Sequence, residues 1–104
     1  MSEPTAEAKR FSCGVRLDLI PGEVLIEVSK VFAHGAEKYG DFNWQQSRLD
    51  GEKGPINHAL KHILNYQAGI ADDESDDPKI HLTHAITNLI FEMYYEMHPE
   101  KYKA

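Results

Sequence analysis

Between Lys79 and Met97, the residues Leu82, Ala85, Ile86, Leu89, Ile90 and Met93 recur at the spacing of one helix face, and Pro99 follows as a stop. Two earlier segments carry the same period. From about Gly22 to Tyr39 the apolar positions are Leu25, Val28, Val31, Phe32 and Gly35, with Glu23 and Lys38 suiting the helix dipole and Gly40 as the stop. From about Ile56 to Ala68 they are Ile56, Leu60, Ile63 and Leu64, with Gly69 as the stop. No segment alternates convincingly as a strand, and none repeats. The pattern predicts an all-α chain, a small helical bundle of three main helices. Three such helices bury little surface alone. The apolar surplus at Ile90, Met93, Tyr94 and Met97 predicts that the bundle is completed by homo-oligomerisation, as a dimer or higher.

The rest of the chain divides around these helices. Residues 1–15 are polar, hold Pro4 and Gly14, and read as a flexible lead-in; residues 16–104 read as a single helical domain. A chain of 104 residues has no room for two independent cores. The net charge of -6 argues against coating a nucleic-acid polymer or an anionic membrane, either of which calls for a basic stripe. No apolar run approaches the roughly 20 residues of a membrane span, and no signal-peptide core follows the N-terminal charges. With one cysteine, Cys13, there is no internal disulfide framework and no cysteine-based zinc cage, so a cytoplasmic setting is expected.

Two groups of residues carry chemistry. His81, His84, Asn88 and Glu92 are spaced 3, 4 and 4 apart on the third helix, and His58 and His62 are spaced 4 apart on the second. Each set lies on one helix face, so the two helices can clasp a metal between them. Neutral imidazole suits a transition metal, while nearby carboxylates admit Mg2+ or Mn2+. Asp72, Asp73, Glu74 and Asp76 on the connecting loop lie within reach. The alternative is a pair of hydrogen-bonded or solvated histidines beside a solvated acidic loop. The second group is Lys38, Tyr39, Asn43 and Trp44, around the end of the first helix and a loop of residues 40–55. Lysine pairs with phosphate, the aromatics offer flat faces to a base, and an amide reads a base edge. The alternative is a helix end anchored by two aromatics. Arg16, Arg48 and Lys61 are further candidates for phosphate contact; His34 and His98 read as structural or surface residues, and Cys13 as inert.

Taken in order, RLDLIP at 16–21, HGAEKYGDFNW at 34–44, LKHIL at 60–64, AG and DDES within 68–75, and HLTHAITNLIF at 81–91 resemble a phage-associated helical family of dATP/dGTP diphosphohydrolases. That family stands near the all-α MazG-like nucleotide pyrophosphohydrolases. The resemblance implies a MazG-like domain over 16–104, oligomerisation, a divalent metal, and cleavage of a purine (deoxy)nucleoside triphosphate to monophosphate and pyrophosphate. The positions it carries across are Lys38, Tyr39, Asn43, Trp44, His62, Asp73, Glu74, His81, His84 and Asn88. With His58 added from the helical spacing, the expected metal ligands are His62, His81, His84 and His58, and the expected substrate contacts are Lys38, Tyr39, Asn43, Trp44 and Asn88. In an enzyme of this kind the catalytic residues would be Glu74 or Asp73, or a histidine, to position water, and Lys61 together with Lys38 to offset phosphate charge. A host-cell cytoplasm is the setting if the chain is phage-encoded. One departure stands out: MazG-like enzymes hold Mg2+ with EExxE on one helix and ExxD on the next, and here those helices read NHALKH and HLTH. Two readings follow: an enzyme with a different metal set, or a non-catalytic nucleotide-binding protein such as a phage sponge for a signalling nucleotide.

Overall fold

The computed structural model describes residues 13–73 and 75–103. Within them the chain forms α1 (Gly22–Tyr39), α2 (Pro55–Gln67) and α3 (Ile80–Met97), with one short 3-10 turn before α1 and two between α1 and α2. Among the described residues there is no strand; one isolated bridge pairs Asp72 with Ser75 in the α2–α3 loop. The all-α bundle of three helices expected from the apolar spacing is the fold observed. Most of the expected lead-in, residues 1–12, lies outside the described residues; Cys13, Gly14 and Val15 are exposed.

The helix ends have local causes. Gly40 follows α1 at φ 93°, a conformation that strains any residue with a Cβ, and its N–H donates to the Ala36 carbonyl at 2.8 Å. Pro55 opens α2 at a position where the missing N–H costs nothing. Past the end of α2, Gly69 turns the chain at φ 71°.

Helix α3 packs against both α2 and α1. The long loop between α1 and α2 is tied to α3 and the tail beyond it: the Tyr95 hydroxyl donates to the Trp44 carbonyl and the Tyr102 hydroxyl to the Gln45 carbonyl, both at 2.7 Å. Arg48 adds ion pairs to Glu92 at 2.8 Å and Glu96 at 3.0 Å. Trp44 stacks on Phe91 with ring centroids 4.7 Å apart, and Phe32 and Tyr94 pack around the pair.

The direction in which the helices face differs from the expectation. The buried residues of α2 are Pro55, Ala59 and His62, and those of α3 are His81, Ala85, Thr87 and Tyr95. Of the stripes expected to form the core, Ala85 is buried, but the large side chains point elsewhere: Leu60 and Leu64 are 53% and 62% exposed, and Leu89 and Met93 are 48% and 64% exposed. On α1, Val28 is buried, but Leu25 is exposed. The physical reason is that α2 and α3 meet through their small and histidine-bearing faces. A helix pair that buries that stripe must leave the apolar stripe on the outside.

Candidate metal and nucleotide site

The α2–α3 contact brings His62 and His81 together, with their Nδ1 atoms 2.8 Å apart. The Nε2–H of His81 donates to the Ile70 carbonyl at 2.8 Å. A carbonyl only accepts, so this bond fixes the tautomer and leaves the His81 Nδ1 lone pair facing His62. Asp72 joins them: ligand atoms of His62, Asp72 and His81 all lie within 4.8 Å of one another. Donors bonded at about 2.0–2.2 Å to one ion sit up to about 4 Å apart, so small side-chain adjustments complete a shell. His84 stands at the edge of the cluster. Its ring stacks on His62 at 4.8 Å, and its Nε2 lies 3.5 Å from Asp72 Oδ2.

Burial holds His62 neutral. Its pKa is pushed down to about 4, first by desolvation and then by the neighbouring charges of His84, Lys61 and His81. A neutral imidazole is the form that binds metal. The chemistry of the donor set, imidazole nitrogen with one carboxylate, fits Mn2+ or a later transition ion better than Mg2+, which prefers an all-oxygen shell.

Beside the cluster lies a cavity of about 580 Å³, within the range of small-molecule sites. Its lining includes Lys38, Tyr39, Asn43, Trp44 and Asn88, so the residues expected to contact substrate come together in one place. His84 lines it as well and links it to the histidine cluster. Lys38 is the one lysine or arginine among the described lining residues. Asn88 Nδ2 donates to the His84 carbonyl of its own helix at 2.8 Å. A second cavity, of about 300 Å³, shares Asn43, Trp44 and Asn88 and adds Lys53 and His58.

Other expected residues are placed differently. His58 is not in the cluster; its Nδ1–H donates to the Gly54 carbonyl at 2.9 Å, a local bond of the first turn of α2. Asp73 is exposed, and the carboxylate that the loop delivers to the histidines is Asp72. Glu74 lies outside the described residues. Lys61 is exposed, close enough for its charge to act on His62. Arg48 is engaged by Asp50, Glu92 and Glu96, so its charge is neutralised within the chain rather than offered to phosphate. The same network takes Glu92 away from the metal stripe of α3. Its carboxyl is raised above the usual range by burial and by a hydrogen bond with Glu96, against the pull of Arg48. Arg16 pairs with Asp18. His34 lines the larger cavity, and His98 packs on Tyr94 at 4.3 Å.

Two features escape the spacing of residues. One is the Ile70 carbonyl, a backbone atom. The other is Phe42, which lines the cavity with its side chain 68% exposed and its backbone at φ 56°, ψ 20°. For a bulky residue this left-handed conformation costs about 1–2 kcal/mol, and its presence beside a cavity is the kind of strain found at functional sites.

The fold and site thus define a class: an all-α protein with a histidine–carboxylate cluster next to an aromatic-walled, nucleotide-sized cavity. A family model described as dATP/dGTP diphosphohydrolase, N-terminal, matches residues 4–104, and the chain belongs to that family. No curated protein and no solved structure was found to match it.

Proposed function

We propose that the chain is a metal-dependent nucleotide pyrophosphohydrolase that cleaves a purine (deoxy)nucleoside triphosphate to the monophosphate and pyrophosphate, through a single helical domain over 16–104. The observation that carries this reading is the continuity of the site. The cavity lined by Lys38, Tyr39, Asn43, Trp44 and Asn88 runs up to His84, whose ring stacks on His62 of the metal cluster. The base and sugar occupy the aromatic end and the phosphates reach the histidines.

His62, His81 and Asp72, with His84 beside them, are the residues that would hold the ion. A bound divalent cation supplies charge neutralisation on the phosphates and acidifies a water molecule. Lys38 and Lys61 offset phosphate charge from the protein side. Asp73 or Glu74, which follow Asp72 in the sequence, is the group we assign to orient the water and take its proton. The water oxygen bonds to the α-phosphorus as the bond to the α,β-bridging oxygen breaks, and pyrophosphate leaves.

The chain works as a homo-oligomer in this reading. Large apolar side chains on α2 and α3 — Ile56, Leu60 and Leu64, and Leu82, Leu89 and Met93 — are all exposed in the single chain. A second copy presenting the same stripes covers them in a symmetric contact. No helix among the described residues is long and apolar enough to cross a membrane.

The replacement of the acidic metal motifs by NHALKH and HLTH favours a second reading, a nucleotide-binding protein without turnover. Incubating a panel of nucleoside triphosphates with Mg2+ or Mn2+ and resolving the products separates the two. Monophosphate plus pyrophosphate supports hydrolysis; tight binding with no product supports the binding protein; neither binding nor product sinks both.

A further inference from the structure

The ring of Phe42 is set where folding alone gains nothing from it. It is 68% exposed, so it contributes little to a core, and its backbone sits at φ 56°, a conformation that a bulky side chain disfavours. Yet the conformation is held in place. The Phe42 carbonyl accepts from the Gln45 N–H at 2.9 Å, and the preceding Gly40 carbonyl accepts from the Asn43 N–H at 3.3 Å, so a turn on each side commits the residue. Phe42 lines the same cavity as Asn43 and Lys38, and Tyr39, 69% exposed, lines it too. Trp44 is differently employed: Phe91 stacks on it, Phe32 and Tyr94 meet it edge to face, and its carbonyl is bonded to Tyr95.

We propose that Phe42 is the residue that stacks on the purine base, with Trp44 as the supporting wall of the cavity. The proposal rests on the nucleotide reading above and assigns the base contact within it. An aromatic ring with a free face at the lip of a cavity gains a partner when a flat heteroaromatic enters. A side chain that has waited exposed then becomes buried between ligand and protein. The left-handed backbone aims the ring without the support of a core, so the residue is positioned by its turn.

The test uses the full chain with the α,β-methylene analogues of dGTP and dATP, which cannot be cleaved at the α,β bond, and with inorganic triphosphate as a base-free probe. Phe42→Asn removes the ring and keeps a side chain that tolerates the left-handed conformation. It should weaken binding of the analogues at least about fivefold, leave triphosphate binding unchanged, and not lower the melting temperature. Phe42→Trp should keep the affinity for the analogues. Wild-type affinity in Phe42→Asn overturns the proposal, as does an equal loss for triphosphate or a fall of several degrees in melting temperature, which would make the ring structural. If the wild-type chain binds triphosphate and the analogues equally well, the base contact is absent, and the proposal fails while the phosphate part of the reading stands. If it binds none of the probes, both fail.

Discussion

His62 and His81 face each other across the α2–α3 contact with their Nδ1 atoms 2.8 Å apart, and the far nitrogen of His81 is bound to the Ile70 carbonyl. Without metal, one shared proton bridges the pair. When His62 takes the tautomer protonated on Nε2, two lone pairs face a common point, and Asp72 supplies a third donor. Three chain segments meet there: one helix, the loop after it, and the helix that follows.

Metal binding should therefore depend on His62 and His81 together. His62→Ala and His81→Ala should each weaken Mn2+ binding by at least about tenfold, the scale on which loss of even an orienting partner is felt. His58→Ala should leave it unchanged. Titration calorimetry with Mn2+ alone reads the effect without reference to activity. A loss in His58→Ala equal to that in His62→Ala would mean that the cluster is drawn around the wrong histidine.

Stability of the metal-free protein should depend on pH through His62. Its folded pKa of about 4 lies below the ordinary histidine value of 6.5. Between those values the unfolded chain binds the extra proton, so stability rises with pH through that window. The contribution is fully present above about pH 6.5 and is lost as pH falls toward 4. A shift of this size corresponds to about 3 kcal/mol. Chemical denaturation at pH 7 and pH 4.5 should show the loss in wild type, and His62→Gln should flatten it.

Tyr95 ties the loop to α3 through its hydroxyl bond to the Trp44 carbonyl at 2.7 Å, and it is only 3% exposed. Tyr95→Phe deletes the donor and keeps the ring. It should cost about 1 kcal/mol, a fall of about 4–8 °C in melting temperature. Loosening of Trp44, which lines the cavity, should accompany it as a change in tryptophan emission. An unchanged melting temperature would show that the loop is held by other contacts, Arg48 first among them.

The exposed stripes of α2 and α3 predict a particle larger than the 11.8 kDa chain. Light scattering at micromolar concentration should give at least a dimer. Leu60→Glu combined with Leu89→Glu places charges on both stripes and should shift the mass toward a monomer. A wild-type monomer at that concentration would leave the apolar faces without the partner assigned to them.

Helix existence and extent were legible in the sequence because their causes are local. Gly40, Pro55 and Gly69 act on the backbone within a residue or two of where they stand, and the apolar period needs no knowledge of the fold. That His81 and His84 share one helix face was legible too, since residues 3 or 4 apart do so whatever that face meets. Which face meets which was not. The stripe of Ile56, Leu60, Ile63 and Leu64 reads as core by hydropathy alone, yet α2 turns Ala59 and His62 inward, because the choice is settled by pairing with α3. The same holds for Asp72 over Asp73. In an acidic run every carboxylate looks alike, and only the path of the loop decides which one reaches the histidines. The left-handed backbone of Phe42 and the Ile70 carbonyl on His81 belong to the tertiary structure for the same reason: each depends on a chain direction, and a chain direction in a loop is set by what its two ends are packed against.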